Sequence, residues 1–87
     1  MSAKRLELGK IVVYDTAAGA LRRANQRVEE LLEEFAGGNF GDLDAEGLEF
    51  NRQALKNGGE LLAIFQLCTN VVIWIVSDGK TTEVFVP

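Results

Sequence analysis

The chain has 87 residues, 47% of them hydrophobic and 25% charged, with nine basic against thirteen acidic residues, a net charge of −4, one cysteine and no histidine. This length makes one domain, and the hydrophobic content is sufficient for a core, which argues against disorder. A single cysteine excludes an intrachain disulfide, the lack of histidine excludes ordinary zinc ligation, and the acidic balance has the wrong sign for a general nucleic-acid surface.

At the N-terminus, Met1-Ser2-Ala3-Lys4-Arg5 carries basic residues with no apolar run behind them, so a signal peptide is not expected. Lys4, Arg5 and Lys10 leave room for a local basic end. The most apolar stretch, residues 61–76, is shorter than the roughly 20 residues of a spanning helix and contains Gln66, Thr69 and Asn70. A cytoplasmic protein in a reducing compartment is expected, with no membrane partner.

Residues 6–14 read as a first strand. Ile11-Val12-Val13-Tyr14 has high β-propensity, and Gly9 with Lys10 suggests an edge or a bulge. Asp15 or Thr16 is the expected cap of a helix. Ala17, Ala20, Leu21, Ala24, Val28, Leu31, Leu32 and Phe35 then form one apolar stripe at helical spacing, ended by Ala36-Gly37-Gly38. Asn25-Gln26 could divide this helix, but the periodicity favours one. A second helix is expected from Asp44 to Asn57, with Glu46 in its first turn and Gly58-Gly59 after its end.

The last third carries three strands. Residues 61–67 and 81–86 flank Val71-Val72-Ile73-Trp74-Ile75-Val76, a β-branched and aromatic run that reads as a strand covered on both faces. The connections are hairpin length, and Asp78-Gly79 suits a turn with positive φ. The expected fold is α+β, in the order β-α-α-β-β-β, with a single antiparallel sheet and two helices packed on it.

Little chemistry stands out. Asp42-Leu43-Asp44-Ala45-Glu46-Gly47 resembles the start of a calcium loop, but Glu49 and Gln53 fail at later positions. Acidic residues at a helix start explain the run more simply. The glycines around Gly38-Asn39-Phe40-Gly41 follow a helix, whereas a phosphate cradle follows a strand. No nucleophile and base share a recognisable spacing, and Cys68 reads as an incidental thiol. No cofactor or metal is expected. Phe40 is either a loop anchor or an exposed contact, and Trp74, in the central strand, reads as core. Phe40, Asp42, Asp44, Asn51 and Trp74 are the candidate interaction or pocket residues.

Several segments together resemble a family of small proteins carried by phages, plasmids and other mobile elements. The likeness begins at Leu8-Gly9-Lys10-Ile11-Val12 and is strongest from Gly38-Asn39-Phe40-Gly41-Asp42-Leu43-Asp44 through Asn51 and Ala54-Leu55-Lys56-Asn57-Gly58. Leu61-Leu62, Ile73-Trp74-Ile75-Val76 and the ending Thr81-Thr82 to Val86-Pro87 also match. Asn39 and Phe40 stand where the family has aspartate and tryptophan, Gly47 where it has an acid, and Ser77-Asp78-Gly79-Lys80 is shorter than the family's connection. The resemblance implies an accessory protein of mobile-element origin.

The functional expectation is a non-enzymatic protein that binds another cellular protein and self-associates, as a homodimer or higher symmetric oligomer. Alternatives are a small ligand-binding domain or enzyme with a pocket near Phe40–Asn51 and, last, a nucleic-acid binder. Two features suggest self-association. Two apolar sheet faces need covering, and one long helix would carry Arg22, Arg23 and Arg27 towards its N-terminal half and Glu29, Glu30, Glu33 and Glu34 towards its C-terminal end, against its dipole.

Overall fold

In the computed structural model, residues 6–87 are described; Lys4 and Arg5, and with them most of the suggested basic end, lie outside these residues. The described chain runs β1 (Lys10–Val13), α1 (Asp15–Arg23), α2 (Val28–Ala36), α3 (Ala45–Asn57), β2 (Leu61–Gln66), β3 (Val72–Ser77) and β4 (Thr81–Phe85). None of these helices is long and apolar enough to cross a membrane.

The expected single helix over the first apolar stripe is two. Asn25 takes a left-handed conformation at φ 55°, which asparagine tolerates better than most residues. Its N–H donates to the Arg22 carbonyl, and the N–H of Gln26 donates to the Leu21 carbonyl. This pair of bonds satisfies the last carbonyls of α1 and stops it. At the end of α2, Gly38 (φ 96°) and Asn39 repeat the arrangement by donating to Phe35 and Glu34. Neither Asp15 nor Thr16 caps α1; Tyr14 holds the N-cap position without a side-chain bond, and Asp15 lies in the first turn.

The break also reverses much of the expected dipole conflict. Arg22 and Arg23 now end α1, and Glu29 and Glu30 begin α2, positions where each charge is favourable by about 0.3–1 kcal/mol. Arg27 stays at the start of α2, with its guanidinium 3.6 Å from the Glu29 carboxylate. Glu33 and Glu34 still stand near the C-terminal end of α2, so the helix-based argument for self-association keeps only that part of its premise.

The sheet has the order β1-β4-β3-β2. β2, β3 and β4 form the expected antiparallel meander, but β1 lies parallel to β4, so the sheet is mixed. Lys10 donates to the Lys80 carbonyl and Tyr14 to the Val84 carbonyl along this parallel seam. Gly9, at φ 65°, lets the chain pass there: a Cβ would stand 2.1 Å from the Lys80 oxygen. β1 is consequently shorter than the strand expected over residues 6–14.

Side chains alternate across the pleat, and one phase of that alternation builds the core. Ala63, Ile73, Ile75 and Val84, each fully buried, meet Ala17, Ala20 and Leu21 of α1 and Leu31 and Phe35 of α2. Leu62, Ile64, Val72, Trp74, Val76 and Phe85 belong to the other phase and are only partly buried. Trp74 is thus not a core residue, and among the described residues the helices cover β3 on one face only. α3 does not lie on that second face either. It packs along β2, burying Asn51 and leaving Leu48, Phe50 and Leu55 exposed.

A buried polar chain fastens the β1 end of the sheet. The N–H of Gly79 donates to Ser77 Oγ at 3.2 Å, Ser77 and Thr82 hydroxyls lie 2.7 Å apart, and Thr82 Oγ1 is 2.7 Å from the Leu8 carbonyl. Thr82 has one proton, which goes to Leu8, so Ser77 must donate to Thr82. Thr82→Val should therefore lower stability by about 1–3 kcal/mol although it preserves shape, as urea denaturation would measure. In the adjoining turn, Asp78 Oδ1 accepts the N–H groups of Thr81 and Lys80 at 2.9 and 2.8 Å. These bonds, Thr81 first, hold the carboxyl below its ordinary range. A lowered folded-state pKa contributes stability above the unfolded value, about 4, that is lost as pH falls through the folded one. Asp78→Asn should remove this part of the acid dependence, seen as a flatter plot of melting temperature against pH below about 4.

Candidate functional site

Four of the five candidate residues come together at the outer edge of β2. An edge strand exposes unpaired backbone groups on every second residue, here Leu62 and Ile64. Leu62 is paired by a side chain: its N–H donates to Asn51 Oδ1 at 2.9 Å, and Asn51 Nδ2 donates to its carbonyl at 2.7 Å. Only 1% of Asn51 is exposed, and it reproduces the two bonds of a missing neighbouring strand. Ile64 is paired by the loop before α3, donating to the Phe40 carbonyl at 3.1 Å and accepting from the N–H of Asp42 at 2.7 Å.

The loop's sequence suits this contact. Gly41 sits at φ 72° against Ile64, where a Cβ would come within 1.9 Å of the Ile64 oxygen. Asn39 Oδ1 accepts the N–H of Gly41 at 2.9 Å and holds the turn. Phe40 anchors it, its ring edge-to-face with buried Phe35 at a centroid distance of 5.7 Å. Asp44 caps α3 by accepting the Gly47 N–H at 2.8 Å, which fixes the helix that carries Asn51. Asp42 contributes its backbone, and its side chain is exposed.

What this constellation does is close a sheet edge. One groove of about 520 Å³ reaches the loop at Asn39 and is otherwise lined by Gln26, Glu30, Leu31, Glu34, Phe65 and Gln66; Asp42, Asp44 and Asn51 do not line it. No group of three or more aspartate, glutamate, cysteine or histidine residues among those described could hold a metal ion. Cys68 is exposed, with its thiol 3.7 Å from the Ala24 carbonyl.

Trp74 stands apart from that edge, in a different kind of surface. On the face away from α1 and α2, strand register sets Phe85, Trp74 and Ile64 side by side across β4, β3 and β2, and Tyr14, the residue after β1, extends the row beside Phe85. Phe85 lies 6.2 Å from Tyr14 and 6.3 Å from Trp74 between ring centroids. The next row holds Val12, Glu83, Val76 and Leu62. Glu83 is the one charge in these two rows, and the Tyr14 hydroxyl donates to its Oε2 at 3.3 Å. Beyond them, Lys10 flanks the β1 side, while Glu60 shares a groove with Val76, Asp78, Thr81 and Glu83 on the β2 side. Of this surface, sequence reasoning singled out only Trp74. The available signal was the shared phase of Leu62, Ile64, Trp74, Val76 and Phe85, apolar on the side that the helices leave open.

No family model, curated protein or solved structure matches the chain.

The edge closure makes a strong demand on one side chain. Asn51→Leu keeps the approximate volume but leaves the Leu62 N–H and carbonyl unpaired, so it should cost about 2–4 kcal/mol in urea denaturation. Asp44→Ala should cost about 1 kcal/mol. A loss below about 0.5 kcal/mol for Asn51→Leu would mean that water replaces both bonds and the edge is open in solution.

Proposed function

We propose that this chain is a non-enzymatic protein-interaction module whose working surface is the open face of the sheet. The observation that carries the reading is the continuous stripe Tyr14, Phe85, Trp74 and Ile64, flanked by Val12, Val76 and Leu62, on a face without a helix. An antiparallel meander that leaves one face to water ordinarily makes it polar. Here it is apolar and aromatic, the composition of interface centres, where tyrosine and tryptophan supply large contact areas.

The polar groups around Phe40 and Asn51 favour binding elsewhere than in a pocket there. Asn51 has both ends of its amide engaged with Leu62, and Asp44 is engaged with the start of α3. The likeness to proteins of phages and plasmids agrees with an accessory factor that acts by binding in the cytoplasm.

Site-specific photo-cross-linking in cells tests this. A benzophenone amino acid at Tyr14 or Phe85 should yield cross-linked protein, and the same group at exposed Arg22 on α1 should not. Cross-links from position 22 as strong as those from 14 and 85, or none from either open-face position, would overturn the reading.

A further inference from the structure

We propose that the occupant of the open face is a second copy of this chain, packed sheet to sheet about a twofold axis that runs along the strands. The inference rests on the reading of this face as the working surface, and it is chosen over other occupants on charge and area.

Consider first the symmetry. A twofold axis lying between the sheets and along the strands keeps each residue's height but exchanges left for right. β1 then faces β2 of the second copy, and β4 faces β3. At one height Tyr14 comes over Ile64 and Phe85 over Trp74, so the aromatic stripe packs on itself. At the next, Val12 comes over Leu62. At the end of the sheet, Lys10 on the β1 side comes over Glu60 on the β2 side, and the symmetry makes this pair twice. Lys10 and Glu60 are both exposed in the single chain, so neither has to be uncovered. An axis across the strands would instead set Lys10 over Tyr14 and Glu60 over Ile64, with no charge matched. Opposite charges at the two flanks of one apolar face thus select the axis along the strands.

The area agrees. Four strands about 4.8 Å apart and five residues long at about 3.3 Å each give a face of roughly 320 Å² per copy, about 630 Å² for two before the relief of the side chains is added. This is the size of a weak, reversible interface. Aligned sheets pack about 10 Å apart with their strands rotated by about 30°, a spacing that interdigitated aromatic side chains fill. Glu83 limits the affinity, because its carboxylate comes against Val76 of the second copy and loses water. The hydrogen bond from Tyr14 offsets part of that loss. A reversible dimer with a dissociation constant in the micromolar range follows from the small area and the buried carboxylate.

Sedimentation equilibrium of four proteins decides the matter: wild type, Lys10→Glu, Glu60→Lys and the double variant, with far-UV circular dichroism to confirm that each is folded. The wild type should move from 9.5 kDa towards twice that mass as concentration rises through the micromolar range. Each single reversal should weaken the dimer about tenfold, and the double variant should restore it to within about threefold. A wild type that stays at 9.5 kDa at 200 µM overturns the second copy as occupant. So does a dimer whose double variant is no tighter than the singles, because the charge pairing is then wrong. These failures differ from failure of the open face itself. Cross-links from Tyr14 and Phe85 to a protein of another mass, from a chain that is monomeric alone, would reject self-association and keep the face as the binding surface.

Discussion

The fold depends on one pleated sheet having two faces and the helices having enough apolar surface for only one. Ile73, Ile75, Val84 and Ala63 point to one side and are sealed by Ala17, Ala20, Leu21, Leu31 and Phe35. The alanines of α1 allow the helix to lie close to the strands, and the leucines and phenylalanine of α2 fill what remains. The third helix goes to the edge, where Asn51 and the Phe40–Asp42 backbone complete the hydrogen bonding of β2. With the helices committed in this way, Trp74, Phe85, Ile64 and Tyr14 are left on a surface that no helix among the described residues covers.

The edges and the open face are consequently treated differently. Unpaired strand edges invite additional strands, and this protein uses a loop glycine and a buried asparagine to close the β2 side. The opposite edge is the four-residue β1, short and bearing Lys10, two features that discourage strand addition. Strand addition is thereby discouraged at both edges, while the face keeps its apolar side chains uncovered by the described residues. Asp44 and Asp42, which drew notice as possible ligands, serve this arrangement through a cap and a backbone N–H.

Much of the secondary structure was legible because it rests on local pattern. The three C-terminal strands fall within a residue of their expected limits, since β-branched runs separated by hairpin-length turns leave few alternatives. The break between α1 and α2 was hidden because Leu21, Ala24 and Val28 keep helical spacing across it. Only the tolerance of Asn25 for positive φ pointed to it. The parallel pairing of β1 was not legible, because turn chemistry informs only on neighbouring strands. Trp74 reads as core from the sequence for a related reason: β3 is apolar in both phases, so alternation does not say which side the helices take. The loop from Gly38 to Asp44 and Asn51 was recognised as a unit, but its role requires knowing that β2 is an edge.

Central to this account is that Trp74 lies on an uncovered, apolar face and is shielded only when that face is occupied. It is the chain's single tryptophan, so its fluorescence reports this position alone. Quenching by acrylamide, followed from nanomolar to high micromolar protein, is the direct measurement. The account predicts an indole open to the quencher in dilute protein that becomes progressively shielded, with a shift to shorter emission wavelength, as concentration rises. An indole fully shielded even at nanomolar concentration would place Trp74 in the core and contradict it.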